Sequence, residues 1–194
     1  SLTGFEVSSD LIYDKTSKTL MFNIAGVESN DNVNVNGYTI YNTNGQVVEA
    51  VNAGSYYAVI TSLDNENYVV NNVRVDFDVV PRSVTVTLKN QTSVYGEEII
   101  VDSTAYDVTS GSVCEGDELG VVISKVAGDT AKEYELTANS TNGNYEVTFV
   151  NAKYTISKRQ VSIDWSDLES LTLTFNNQNQ ISSVSTPNIN NVLN

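Results

Sequence analysis

Histidine is absent from this chain of 194 residues, and cysteine, tryptophan and methionine occur only once each. Without histidine, neither a Ser-His-Asp nor a Cys-His nucleophile can form, and no imidazole can bind a metal. Cys114, the single cysteine, excludes an internal disulfide and a thiolate metal cluster. We expect Cys114 to be a small buried hydrophobic side chain, because no histidine is present to form a thiolate pair with it.

Positive charge is also scarce, since 10 Lys and Arg residues stand against 24 Asp and Glu, for a net charge of −14. This balance argues against nucleic acid, whose binding depends on cations that release phosphate counterions. It also disfavours anionic membrane surfaces. No apolar run approaches the roughly 18 residues of a membrane span. Because no signal peptide is visible and the chain opens at Ser1, we expect a fragment of a longer protein.

A carboxylate-pair glycosidase is the enzyme class that these absences leave formally open. Such an enzyme needs a cleft that holds a sugar between two carboxylates in different environments. Small repeated units offer little concave surface, and most acids of this chain stand at turns or at outward-facing strand positions. We therefore predict a protein without catalytic activity and without a resident cofactor.

The chain contains one passage twice, over residues 51–86 and again over 128–163, at a spacing of 77 residues. The ungapped alignment places Tyr68 on Tyr145, among other matches. Self-similarity at a fixed period indicates an array of small structural units. We predict a first unit over 1–82, a second unit over 83–159 and a partial third unit over 160–194.

The partial unit 160–194 holds only the first strands of a repeat. Half a unit cannot bury both of its faces, so we expect it to pack on the second unit, on the N-terminus or on another molecule. In the last case it would add a strand to an exposed sheet edge of another chain. Trp165 falls on Leu88 in the repeat, at an inward position, which favours core packing.

Apolar and polar side chains alternate with a period of two, and no segment shows a helical stripe. In the run from Val84 to Leu88 the apolar side chains face inward and the threonines face water. Asn44-Gly45 and Asn142-Gly143 provide turn chemistry between such runs. The short hinge Pro81-Arg82-Ser83 restricts bending. We predict an all-β chain of tandem small antiparallel β-sandwich (Ig-like) modules in an elongated, stiff array, with β-grasp-like modules as the alternative.

Three motifs resemble, in order, the bacterial MBG-type repeats of the YGX class, which are mucin-binding-like and belong with Ig-like surface-protein repeats. They are Val94-Tyr95-Gly96, Gly116-Asp117-Glu118-Leu119 and Asn144-Tyr145 with the strand that follows. The first unit has Tyr13-Asp14 where the second has Tyr-Gly. The resemblance implies a secreted, cell-wall-anchored protein of the bacterial cell surface, classed with adhesins, whose repeats act as stalk or display modules without catalysis.

Two functions therefore remain in view: a spacer that displays a distal binding region, and a module that itself binds a host glycan or an extracellular protein through its loops. Tyrosines that recur in both copies, such as Tyr57 and Tyr134, are predicted to be scaffold. The tyrosines without a counterpart in the other copy are the better candidates for ligand contact on the surface. These are Tyr38, Tyr41, Tyr56 and Tyr106.

The spacing of Asn32, Asn34 and Asn36 matches the first half of a calcium loop, but Thr43 stands where the closing acid is needed. An asparagine-rich turn is the preferred interpretation, and weak Ca²⁺ binding is the alternative.

Lys–Asn isopeptide cross-links are a second alternative for the lysines near the predicted strands. No spacing singles out a Lys–Asn pair with its neighbouring acid. The lysines concerned are Lys15, Lys18, Lys89 and Lys153.

Overall fold

A computed structural model describes residues 2–8, 10–164 and 188–190 of the chain. All regular structure in this part is β-strand, so it contains no helix with the length and apolar character needed to cross a membrane. The strands are β1 (Gly4–Val7), β2 (Phe22–Ala25), β3 (Val35–Asn42), β4 (Gly54–Leu63), β5 (Val73–Val79), β6 (Arg82–Leu88), β7 (Gln91–Val94), β8 (Tyr106–Ser110), β9 (Val121–Lys125), β10 (Glu133–Ser140), β11 (Tyr145–Val150), β12 (Ala152–Ser157), β13 (Ser162–Asp164) and β14 (Asn188–Asn190).

Strands β6 to β12 form two sheets in what we call the second half of the molecule, residues 82–164. One sheet has the order β7-β12-β10-β9 and the other has the order β11-β6-β8, an arrangement compatible with a β-sandwich. Their inward side chains are fully buried, as Val86, Leu136 and Tyr154 show. The alternation predicted for Val84 to Leu88 is confirmed, because the apolar members are buried and the threonines are half-exposed.

The first half, residues 2–81, contains the sheets β1-β2 and β3-β4-β5. Ala58 and Ile60 are completely buried on β4. The order β3-β4-β5 matches the order β9-β10-β12 of the second half, with antiparallel neighbours in both sets. Ile12 bridges Val80 in parallel beside the end of β5, just as β7 lies parallel to β12. The repeated passage therefore forms one strand pair twice, as β4-β5 and as β10-β12, and the strands that flank it repeat the same neighbours.

Strand direction departs from the prediction at two places. The pairs β6–β11 and β7–β12 run parallel, although we expected antiparallel sheets throughout. The reason is that period-two alternation reports only which face of a strand is buried. It carries no information about the direction of the neighbouring strand.

One continuous hydrophobic cluster contains most of the buried side chains and draws members from both halves, such as Ala58 and Leu136. Only two residues, Val80 and Pro81, separate β5 from β6, so the halves are held close together. The predicted unit limits at residues 82 and 159 stay predictions. Within the predicted third unit, β13 pairs with β14. Trp165 lies outside the described residues, as do positions 166–187 and 191–194, so the predicted packing of this unit and of Trp165 stays a prediction.

Candidate functional site

Three of the four tyrosines predicted to contact a ligand are committed to packing. The Tyr38 hydroxyl accepts a hydrogen bond from the Leu20 N–H at 2.9 Å, and its ring packs against the core. Tyr56 stacks on Phe77 with ring centroids 5.7 Å apart. Tyr106 also packs against the core. Each ring thus presents only part of its surface, and the structure does not bring the three together.

Tyr41 belongs to an aromatic row on the sheet β3-β4-β5. Its ring stacks on that of Tyr57, with centroids 5.1 Å apart and planes 9° from parallel. The guanidinium carbon of Arg74 lies 3.9 Å from the centroid of the Tyr57 ring, and Arg74 also pairs with Asp76 at 2.7 Å. A half-exposed row of this kind offers π-faces and hydrogen-bonding groups side by side. Of the four candidates, Tyr41 is the one that fits a stacking surface.

A carboxylate with three bonded partners lies where the two halves meet. Asp117 accepts a hydrogen bond on Oδ2 from the Tyr13 hydroxyl at 2.8 Å, and another from the Tyr145 hydroxyl at 2.8 Å. Its Oδ1 pairs with the Lys15 ammonium at 2.8 Å. We call these four residues the Asp117 junction. Tyr13 and Lys15 belong to the first half, whereas Asp117 and Tyr145 belong to the second.

The first half presents Tyr13 through a fixed backbone. Its N–H donates to the Val80 carbonyl at 2.9 Å, and its own carbonyl accepts a hydrogen bond from Nε of Arg82 at 2.9 Å. Lys15 lies two residues further on and has a positive φ of 69°, so the chain turns there. The Lys15 ammonium consequently points across the junction and also donates to the Glu115 carbonyl at 2.8 Å.

The second half presents Asp117 on a tight turn. The Asp117 N–H donates to the Cys114 carbonyl at 3.0 Å, and Gly116 supplies the positive φ of 75° that this turn needs. The Cys114 N–H donates to the Tyr145 hydroxyl at 2.9 Å, which ties the turn to β11. Cys114 itself packs against the core but is only half-buried, whereas the sequence predicted a buried side chain.

The side chains of the junction are closely packed, and their contacts shift the pKa values of Asp117 and of the two tyrosines. The rings of Tyr13 and Tyr145 meet edge to face at 5.5 Å and are 4% and 5% exposed. Hydrogen bonds from Lys15 and from the two tyrosines lower the pKa of Asp117 to about 2, because each favours the carboxylate. The bond to Asp117, together with burial, raises the pKa of Tyr13 to about 12. Burial also raises the pKa of Tyr145.

A second contact fixes the angle between the halves. The Asn144 side-chain oxygen accepts a hydrogen bond from the Ala53 N–H at 2.8 Å, and its amide group donates to Asn52 at 3.2 Å. The Asn144 carbonyl accepts from the Arg82 N–H at 2.9 Å. Together with Asp117, this contact ties the halves by two separate polar clusters. An arrangement of this kind resists rotation as well as separation.

Sequence reasoning did not identify the Asp117 junction as a site. Asp117 is part of a family-like motif, Tyr145 belongs both to such a motif and to the repeat, and Lys15 is a possible cross-linking lysine. The signal that the sequence offers is indirect, since Tyr145 recurs at the position of Tyr68. Nothing in the sequence pairs Asp117 with Tyr13, which precedes it by 104 residues.

The calcium and cross-link alternatives stay predictions. Among residues 2–8, 10–164 and 188–190, no group of three or more Cys, Asp or Glu side chains could hold a metal ion. In the asparagine-rich turn, the Asn34 amide donates to Asp64 at 2.8 Å, and the Asn32 carbonyl accepts from Asn65. Each of the four lysines pairs with a carboxylate: Lys15 with Asp117, Lys18 with Asp14, Lys89 with Asp107 and Lys153 with Glu133.

Comparison with known proteins found no match, either among protein-family models or among curated protein sequences.

Proposed function

We propose that this chain is a non-enzymatic spacer: a stretch of tandem Ig-like modules in a secreted protein of the bacterial cell surface, holding a distal binding region away from the cell. The observation that supports this proposal is the Asp117 junction. A spacer needs consecutive modules whose relative orientation is fixed. The junction provides a charged contact beside two buried tyrosine rings, and it joins the two halves of a repeated chain.

The chemistry of the junction favours a structural role. Asp117 already accepts hydrogen bonds from three donors, and the two tyrosine rings beside it are nearly inaccessible. A carboxylate bound in this way has little capacity left to accept a proton or to contact a substrate. The raised pKa of Tyr13 likewise keeps its hydroxyl protonated as a donor. These properties favour a fixed contact over a reactive centre.

The distance distribution between two spin labels tests the spacer function directly. Cysteines placed at the exposed positions Asn44 and Lys158, in a chain carrying Cys114→Ser, carry one label in each half. We expect a single narrow peak, and we expect Asp117→Ala to broaden it because the polar lock is removed. Asp107→Ala, which breaks an exposed pair with Lys89, is the matched control and should leave the peak narrow.

A broad distribution in the chain with an intact junction would contradict the spacer function. Two modules that reorient freely cannot hold a distal region at a fixed distance from the cell.

A second function is favoured by the aromatic row of Tyr41, Tyr57 and Arg74. Sugars stack on exposed aromatic faces, and Asp76 and Asp78 stand beside the row as hydrogen-bond acceptors for sugar hydroxyls. A glycan array probed with the folded chain distinguishes the two functions. Specific binding that is lost in Tyr41→Ala, but kept in Tyr95→Ala at another exposed tyrosine, would make the chain a ligand-binding module.

A further inference from the structure

In the second half, Tyr13 is bound by the turn from Cys114 to Asp117 and by Tyr145. The first half contains a counterpart of this turn and of this tyrosine. Tyr68 stands where Tyr145 stands in the repeat, and its hydroxyl donates to Asp31 at 2.9 Å, as that of Tyr145 donates to Asp117 at 2.8 Å. The Glu28 N–H donates to the Tyr68 hydroxyl at 3.0 Å, in the same way as the Cys114 N–H donates to Tyr145.

The backbone around the two pairs is also the same. The Asp31 N–H donates to the Glu28 carbonyl at 2.9 Å, and the Tyr68 N–H donates to the Asn65 carbonyl at 3.1 Å. Asn67, which precedes Tyr68, forms its turn through the Asn65 side chain at 3.0 Å, just as Asn144 does through Asn142. The first half therefore contains a second copy of the receiving surface, which we call the Asp31 cup: Glu28, Asp31, Asn67 and Tyr68.

The two surfaces differ in whether another part of the described chain covers them. Asp117 is 11% exposed beneath Tyr13 and Lys15, and Tyr145 is buried. In the Asp31 cup, Asp31 and Asn67 are exposed and Tyr68 is half-exposed. In the Asp117 junction, a carboxylate and a tyrosine in this same geometry bind the Tyr13 hydroxyl and the Lys15 ammonium. We propose that the Asp31 cup is the receiving half of a further junction and binds the Tyr-x-Lys turn of another module of this kind.

The negative charge of the Asp31 cup favours a partner that carries a positive charge. Glu28 stands in place of Cys114 and Ser29 in place of Glu115, so this turn carries two acidic residues, as does the turn that binds Lys15 in the second half. The ammonium of a Tyr-x-Lys turn complements this charge.

An identical copy of the chain offers a poorer fit. In the second half, the exposed Tyr95 occupies the place that Tyr13 has in the first. Its N–H donates to the Ser157 carbonyl and its carbonyl accepts from Arg159, as those of Tyr13 bond to Val80 and Arg82. Glu97 follows Tyr95 where Lys15 follows Tyr13, so Tyr95 would bring a carboxylate toward Asp31. The occupant we assign is therefore a module with lysine at that place.

A chain with residues 2–82 duplicated in front of Leu2 tests this inference, which rests on the proposed spacer function. The strand registers fix the fusion point. Val7 pairs with Phe22 in the first half as Leu88 pairs with Tyr106 in the second, so Val7 and Leu88 occupy equivalent positions. Residue 1 precedes Val7 by six positions and Arg82 precedes Leu88 by six, so Arg82 of the added copy takes the place of residue 1. The Tyr13-Asp14-Lys15 turn of the added copy then faces the Asp31 cup. Spin labels at Asn44 of both copies measure the new joint, and labels at Asn44 and Lys158 of the original chain measure the existing one.

We expect a narrow distance distribution across the new joint and the loss of that narrow peak in Asp31→Ala and in Tyr68→Phe. Asp76→Ala, an exposed acid elsewhere in the same half, should leave the peak unchanged. Tyr68→Phe is the milder change and keeps the test valid if Asp31→Ala unfolds the first half.

The outcomes separate the two proposals. A broad new joint beside a narrow existing joint would overturn the Asp31 cup and leave the spacer function standing. A narrow new joint that is insensitive to both cup variants would also overturn it. Broad distributions at both joints would reject the spacer function itself. Concentration-dependent association of the original chain that is abolished by Asp31→Ala would show that a second copy fills the cup, against the occupant assigned here.

Discussion

At the scale of single residues, Asp117 shows why a buried carboxylate can stabilise a contact. Removing a charge from water is costly unless hydrogen bonds replace the lost hydration. Here one ammonium and two hydroxyl groups do so, and they come from both halves of the chain. The two donors from the first half, Tyr13 and Lys15, therefore contribute to folding and to the alignment of the halves at the same time.

Tyr13→Phe should lower the free energy of unfolding by about 1.5 kcal/mol, because it removes one hydrogen bond to a charged acceptor and keeps the buried ring. Urea unfolding monitored by circular dichroism measures the change. Tyr41→Phe serves as the control, since the Tyr41 ring lies on the surface row. A loss in Tyr13→Phe no larger than in the control would contradict the importance of this bond.

Acid should weaken the junction. The pKa of Asp117 falls from 3.8 to about 2 on folding, so between these values the unfolded chain binds more protons than the folded one. The contribution of Asp117 is thus complete above about pH 4 and is lost as the pH falls through 2. We expect the urea midpoints of the unmodified chain and Asp117→Asn to converge over this range. Midpoints that stay parallel would reject the lowered pKa.

At the scale of elements, the edge of β8 depends on a backbone position that only glycine tolerates. Gly111 follows β8 with a φ of 76°, and a Cβ there would lie 2.5 Å from the Ser83 carbonyl oxygen on β6. Ser112, the next residue, accepts a hydrogen bond from Arg82. This turn therefore connects the sheet β11-β6-β8 to the arginine that fixes Tyr13.

Gly111→Ala should destabilise the chain by about 1 to 3 kcal/mol, through positive-φ strain and the contact with β6. Gly143→Ala is the matched control, because a Cβ at Gly143 would meet no atom within 4 Å. Thermal unfolding of the two variants provides the comparison. Equal melting temperatures would show that β8 can move away from β6 at little cost.

The alternation of buried and exposed side chains along β6 was predictable from the sequence. The strand that pairs with β6 was not. Val84, Val86 and Leu88 are buried as their spacing predicted. The parallel pairing of β6 with β11 was not predicted, because partner direction depends on where a strand 63 residues away returns to the sheet.

At the scale of the whole molecule, the elongated, stiff array stays a prediction from the repeat and its short hinge. If strands of eight to ten residues run along the array, each unit adds roughly 30 Å at about 3.3 Å per residue.

Small-angle scattering should give a radius of gyration clearly above the roughly 16 Å of a compact chain of this length. The pair-distance distribution should have the long tail of an elongated particle. A value near that of a compact sphere would contradict the stiff-rod prediction.

The sequence determined by itself the repeat, the β character and the buried face of the strand from Val84 to Leu88, because these depend on local periodicity and on residue type. It also limited the chemistry, since a chain without histidine has no imidazole base or ligand. The tertiary structure decided what Tyr13, Lys15 and Asp117 do. Their contact joins residues about a hundred positions apart, and no local pattern encodes a hydrogen bond over that separation. The sequence aligns Tyr68 with Tyr145, but the structure decided that Asp31 accepts from Tyr68 as Asp117 accepts from Tyr145, because both aspartates lie outside the repeated passage.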